Sequence, residues 1–477
     1  MIRQTMLNVF DESNPLSRRK LLGIGSLGLG GLSLASLLGA KLGAVGSESK
    51  PNPLTGKSVI FLFQQGGPSQ FETFDPKPDA PEGIRTVTDV IPTSIPGIHF
   101  GSAMEQLSKL AHKLVTVRSF RTNNSGHNIR PIVGPESLDA NVGVHFARVA
   151  GTTRPGTGIP TNAILYPASV NPGVPGPSAR GNLAATGPHP PSFAPFVPGG
   201  KGNLQEDMKL SLPRERFLNG RKSLLVKLDQ LKRRADEDAA FKVVDDLHAQ
   251  AYEVLLGGGV SKALDLSQED SRVVAAYDTS HFHGGKRWNK VSRGRSGYYN
   301  AQAGSIGKLL LMARRLCEAG CGFVTIHAGY AGVWDMHADG NNLNMRDGMQ
   351  AVGRSFDHAV AAFVRDLEAR GMQDEIMLVC CGEMGRTPRL NKNGGRDHWS
   401  RLSPLLLYGG GIGEGKTIGE SDKHGGEPAS SPFDSSNLIS SILRTVIDPG
   451  VLRLDPSIPE EINRLVSASP IDGLGLG

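Results

Sequence analysis

Beyond residue 56, short apolar runs alternate with stretches whose apolar residues recur at helical spacing. "SVIFLFQ" (58–64) is an unbroken apolar run of strand length, which predicts a strand buried on both faces. "AMEQLSKLAHK" (103–113) predicts a helix and "LVTVRS" (114–119) the next strand. The alternation returns later: "GSIGKLLLMARRLCEAG" is a helix stopped by Gly320, "FVTIHA" (323–328) a strand, and "SFDHAVAAFVRDLEARG" a helix stopped by Gly371. "EIMLVCC" (375–381) and "PLLLY" (404–408) follow as strands, and "SSNLISSILRTVI" closes as a helix. Strands separated by helices imply an α/β fold, a three-layer α/β/α sandwich around a mainly parallel sheet.

Two stretches depart from this rhythm. From about Gly151 to Gly202 the chain is rich in Pro and Gly without clear periodicity, which reads as a long surface excursion or lid. From Arg221 to Leu256 the pattern is helical, with Leu224, Leu225, Leu228 and Leu231 on one side and charges on the other. The organisation expected is a leader over 1–46 and one domain over 47–477, with 151–220 as its excursion.

The leader is legible by itself. "SRRKLLGIGSLGLGGLSLASLLGA" sets Arg18 and Arg19 before an apolar run diluted by Gly and Ser and ending in small residues. It resembles a twin-arginine signal, which implies the twin-arginine export machinery as a partner and a periplasmic or secreted location. A run of about 20 apolar residues also has the length of a membrane anchor. The glycines weaken that reading, and no stable span is expected after cleavage.

With 477 residues, 38% hydrophobic and 21% charged, the composition is globular. The formal charge of +6 includes the leader's arginines, and the other basic residues are interleaved with acids, as in "KLDQLKRRADED". A nucleic-acid surface would need a concentrated basic face, so no nucleic-acid partner is expected. The four cysteines, Cys317, Cys321, Cys380 and Cys381, lack zinc-type spacing and read as buried, unpaired thiols.

In open α/β sheets, ligands bind outside the carboxyl ends of the strands. The first strand runs into "QGGPSQFETFDP", the second into "FRTNNSGHN", "FVTIHA" into "GYAGVWDMHADGN" and "EIMLVCC" into "GEMGRTP", after which "GGRDHW" leads back into "PLLLY". Asp335, His337, Glu383, Asp397 and His398 thereby gather on one edge, and carboxylate with imidazole is the donor set of a divalent cation: zinc, manganese, magnesium or calcium. Taken singly, each has an ordinary alternative as a loop hydrogen-bonding group, and Glu383 as an ion-pair partner of Arg386. Ser125, with His127 beside it, is the candidate catalytic pair, a hydroxyl to be activated by a metal or a base; a turn serine explains it as well. Ser69 is a second candidate hydroxyl. "GGIGEGKT" (410–417) matches the phosphate-loop pattern, but "IGESDKHGGEP" after it cannot hold the helix on which phosphate binding depends, so the match is attributed to chance.

"FLFQQGGPSQFETFDPKPDAPEGIR", "VWDMHADGN", "GEMGRTPRLNKNGGRDHW" and "GGGIGEGKTIGESD" resemble the family named domain of unknown function 1501. The resemblance runs from about Lys57 to the last helix. That family is similar in fold to the alkaline phosphatase and sulfatase superfamily, which implies a metal centre at the carboxyl edge of the sheet. It implies an exported metal-dependent hydrolase of phosphate or sulfate esters, acting on a small-molecule or polysaccharide substrate. The rival is a non-catalytic envelope or carbohydrate-binding protein that keeps the fold and a degenerate site. Superfamily hydrolases typically place a metal-binding Asp after the first strand, where Gln64 and Gln65 stand, and Glu383-Met384 occupies the place of an Asp-His pair. "DHWSRLSPLLL" looks like the segment that supplies a further histidine, which makes His398 a ligand and Asp397 either a ligand or the group that orients one.

Overall fold

Every residue of Ser58–Phe63, strand β1, is buried, as an apolar run between two helical layers must be. The computed structural model describes residues 52–155, 157–171, 173–198, 259–327 and 330–476; the leader and the amphipathic pattern at 221–256 lie outside them. The central sheet also contains β2 (Val115–Val117), β3 (Asn162–Leu165), β4 (Phe323–His327), β5 (Ile376–Cys381), β6 (Leu405–Gly409) and β7 (Lys416–Ile418), in the order β7-β2-β6-β5-β1-β4-β3. All neighbours pair in parallel except β6, which is antiparallel to both β5 and β2.

Period-two alternation sends the side chains of one strand into two separate cores. Ile60 and Leu62 join a core built with helices α3 (Arg293–Glu318) and α4 (Arg354–Arg370). Val59, Phe61 and Phe63 join another, containing α2 (Val142–Ala150), α5 (Ser435–Val446) and α6 (Glu460–Ser467). The same rule divides Cys380 from Cys381, and all four cysteines are buried and unpaired. The fold class is the α/β one expected, with a mainly parallel sheet.

Several elements differ from their sequence signals. The 103–113 helix is shorter: α1 spans Glu105–Lys109, flanked by 3-10 turns. Its start is fixed from outside, because Asp357 on α4 accepts the backbone N–H groups of Gln106 (2.9 Å) and Leu107 (2.8 Å), donors that a helix end leaves open. Helix α3 begins eleven residues before "GSIG", at Arg293, where glycines and serines hide the apolar spacing. The Pro/Gly-rich stretch is not all excursion. Asn162–Leu165 pairs with Phe323–Ile326 as the edge strand β3, only four residues long between Pro160 and Pro167. After β6, Gly409, Gly410 and Gly411 adopt φ of +72°, +67° and +76° and turn the chain into strand β7. No helix starts at Lys416; its ammonium donates to the Gly473 carbonyl (3.0 Å), so "GGIGEGKT" lacks the helix a phosphate loop needs.

Among the described residues, no helix is long and apolar enough to cross a membrane. Asp357→Ala is expected to strand two N–H groups at the start of α1 and to cost about 1–3 kcal/mol. Chemical denaturation of the variant against the wild type measures the loss.

Candidate metal centre

Four loops leave the sheet at one edge, after β1, β2, β4 and β5, and a fifth segment returns there ahead of the antiparallel β6. Their close approach depends on a glycine. Gly66 sits at φ +120°, and a Cβ on it would fall 2.7 Å from the backbone nitrogens of both Trp334 and Asp335. The bare backbone lets the β1 loop touch the β4 loop. Gly66 N also donates to both oxygens of Glu383 (2.8 and 3.0 Å), which follows β5. A two-residue ribbon, Gly385–Arg386 against His398–Trp399, then places His398 opposite Arg386. Asn391 Nδ2 and Arg396 N hold the His337 and Met336 carbonyls (2.8 and 3.1 Å), fixing the turn that carries His337.

These supports bring His127, Asp335, His337 and His398 together. One donor atom from each lies within 4.8 Å of all the others, and this is the one such group of three or more found among the described residues. Asp335, nearly buried, is the hub. Its Oδ2 lies 2.9 Å from His127 Nε2, and its Oδ1 lies 2.6 Å from His337 Nε2 and 3.2 Å from His398 Nε2. The buried Arg386 guanidinium adds a contact of 2.8 Å to Oδ1.

The outer nitrogens decide the protonation of the rings. His127 Nδ1 meets Glu383 Oε1 at 3.0 Å, His337 Nδ1 meets Asp397 Oδ1 at 3.1 Å, and His398 Nδ1 meets the Ser125 carbonyl at 2.7 Å. Carboxylate and carbonyl oxygens accept, so each Nδ1 donates outward, and each Nε2 is turned inward onto the Asp335 carboxylate. Three ring nitrogens thus face one carboxylate, and those of His337 and His398 approach each other to 2.7 Å. That arrangement is repulsive unless a cation, proton or metal ion, lies among them. Electrostatics point the same way. Burial alone would push the Asp335 carboxyl up, yet the three imidazoles and Arg386 hold it well below the ordinary carboxylate range. Burial pulls His127 down, but Asp335 and Glu383 outweigh it and hold the imidazole above its usual value. Three carboxylates, Asp335, Glu383 and Asp397, thus contact the rings, against the single guanidinium of Arg386.

The sequence candidates therefore sort by distance from this centre. Asp335, His337 and His398 meet in it, and His127 joins them, its ring turned into the cluster. Glu383 and Asp397 stand behind it, each accepting from the outer nitrogen of a histidine. Glu383 does not pair with Arg386, whose partner is Asp335. Ser125 takes part through its carbonyl, while its exposed hydroxyl makes no hydrogen bond among the described residues. Ser69 is buried and donates to Glu72, itself paired with Arg396, so it belongs to the support of the loops. Gln65 accepts from His327 Nε2 and Arg180 N (3.0 and 3.1 Å), which leaves it committed to the scaffold. The role of Arg386 was visible only as a nearby charge, and the Ser125 carbonyl had no signal at all, since any residue carries one. Beside the cluster, His337, Asp397, Asp339, Lys392 and two asparagines line an open groove of about 360 Å³.

Among solved structures, a sulfatase from Pseudoalteromonas sp. aligns over 90% of this chain and 72% of its own, at 12% identity and a TM-score of 0.33. A phosphonate monoester hydrolase from Silicibacter pomeroyi aligns over 81% and 72%, at 12% identity and a TM-score of 0.32. A magnesium-bound TAB5 alkaline phosphatase mutant aligns over 75% and 92%, at 13% identity and a TM-score of 0.24. Similarity this distant transfers neither an activity nor a residue's role. No curated protein matches the chain. Residues 56–450 match the family described as "Protein of unknown function (DUF1501)", and the chain belongs to that family.

Proposed function

We propose that this chain is an exported, metal-dependent hydrolase of phosphate or sulfate esters, with a divalent cation held by His127, Asp335, His337 and His398. The observation that carries the reading is the inward convergence of three imidazole Nε2 atoms on one carboxylate, each ring anchored behind by an oxygen acceptor. Three nitrogens and one oxygen suit zinc or another borderline cation, and the anchoring acceptors are the kind that orient histidine ligands. When bound, such a cation acts as a Lewis acid toward an ester oxygen and makes a hydroxyl or water more acidic.

The chain's own residues supply the rest. Glu383 fixes the tautomer of His127, and Arg386 holds Asp335 against rotation. The groove that opens beside His337 and Asp397 gives a substrate access, with Lys392 as its basic group. The ester class rests on the sequence phrases that resemble the alkaline phosphatase and sulfatase superfamily. Ser125, whose carbonyl anchors His398, is the candidate hydroxyl for this chemistry. A second reading, a binding protein with the same centre, is favoured by one observation: nothing among the described residues aligns the Ser125 hydroxyl.

Purified mature protein, supplied with zinc, manganese, magnesium or calcium, is expected to hold about one equivalent of one of them by elemental analysis. His398→Ala and Asp335→Ala should lose it, and Glu383→Gln should weaken affinity about 10- to 100-fold. Ser125→Ala should keep the metal and lose ester hydrolysis. A wild type that binds none of the four ions removes the metal reading; metal without turnover across phosphate and sulfate esters favours the binding protein.

Export has its own support in Arg18-Arg19 and the glycine-diluted run behind them. Changing both to Lys is expected to leave precursor in the cytoplasm, scored by fractionation and immunoblot; normal export of that variant refutes the route.

A further inference from the structure

A second open groove, of about 450 Å³, lies between the Gly285–Trp288 turn and the first turns of α4, and shares no lining residue with the groove beside the histidine cluster. Its walls are settled by hydrogen-bond logic. His358 donates from Nε2 to the Ala276 carbonyl (3.0 Å), so its Nδ1 accepts from Gln106 Nε2 (2.9 Å), and both ring nitrogens are spent. His283 Nδ1 accepts from Gly285 N (3.2 Å), which leaves the proton on Nε2 as a donor.

The charge around this groove is unbalanced. Arg287 and Arg354 are exposed and form no ion pair among the described residues. Arg354 reaches only Gln350 Oε1, at 3.4 Å, and Arg287 lies over the Trp288 ring, 4.9 Å from its centroid, a contact that orients a guanidinium without neutralising it. Arg365, also without an ion pair among the described residues, donates to Gln106 Oε1 at 2.8 Å just behind the wall. The acids whose fields reach these arginines are engaged elsewhere: Glu105, near Arg354, pairs with Lys109 (3.0 Å), and the buried Asp357, near Arg365, accepts the backbone N–H groups of Gln106 and Leu107 (2.9 and 2.8 Å).

Unpaired guanidinium forks match tetrahedral oxyanions. The volume exceeds what one oxyanion fills and falls in the range of small-ligand sites, roughly 300–1,000 Å³. Phe282 and Trp288 give the groove an apolar wall.

We propose that this groove is a second binding site, for a small organic monoester that bears a sulfate or phosphate group, gripped by Arg287, Arg354 and His283. Calorimetric titration of the full mature protein with glucose 6-sulfate and with glucose 6-phosphate tests it, the two arms telling the sulfate source from the phosphate source. The wild type should bind at least one of them saturably. Arg287→Ala/Arg354→Ala should weaken that binding at least about tenfold, while His398→Ala, which breaks the histidine cluster, should leave it unchanged. Circular dichroism melting confirms that the variants fold. The proposal fails if neither ester binds, if the double variant binds as the wild type does, or if His398→Ala abolishes binding.

Discussion

The approach of three loops at Gly66 is the constraint on which the rest of the site depends. That residue does three things with backbone alone: its N–H holds the Glu383 carboxylate, its carbonyl accepts from Arg386, and its missing side chain makes room for Trp334 and Asp335. A side chain there would push the Asp335 loop off the β1 loop, and Glu383 would lose its donor. Once the loops are in contact, the placement of His127 and Arg386 follows from pairing buried charges, because an unpaired carboxylate at this depth is expensive.

Much of this was legible, and the reason is geometrical. Strands β1, β4 and β5 announced themselves as short, largely apolar runs, and knowing which ends face the ligand edge was enough to gather Asp335, His337 and His398 from far-apart phrases. Less visible were interactions that any sequence could have made. The Ser125 carbonyl and the Gly66 N–H carry no residue signature, and the sequence alone does not choose between Glu383 and Asp335 as the partner of Arg386. Strand β3 escaped because four residues between prolines cannot show a period, and α1 shrank because its start is set by Asp357, a residue some 250 positions away.

The layering of partners behind the histidines also separates support from chemistry. Glu383, Arg386, Arg396 and Glu72 are fully buried and joined to backbone groups, so they act as framework for whatever the cluster binds. The functional reading rests on the smaller set in front of them. The fold alone would host many chemistries.

The three anchoring oxygens differ sharply in exposure: Glu383 has none, whereas the Asp397 side chain is 61% exposed. The cluster therefore has a fixed floor at His127 and a yielding rim at His337. A solute exchanging with this site would pass on the side of His337 and His398, whose side chains are partly exposed, rather than on that of the buried Glu383. Residence time would then be set by how firmly a solvated aspartate steadies one ring. Ionic strength, which screens an exposed carboxylate and barely reaches a buried one, would tune the kinetics of exchange while leaving the floor intact.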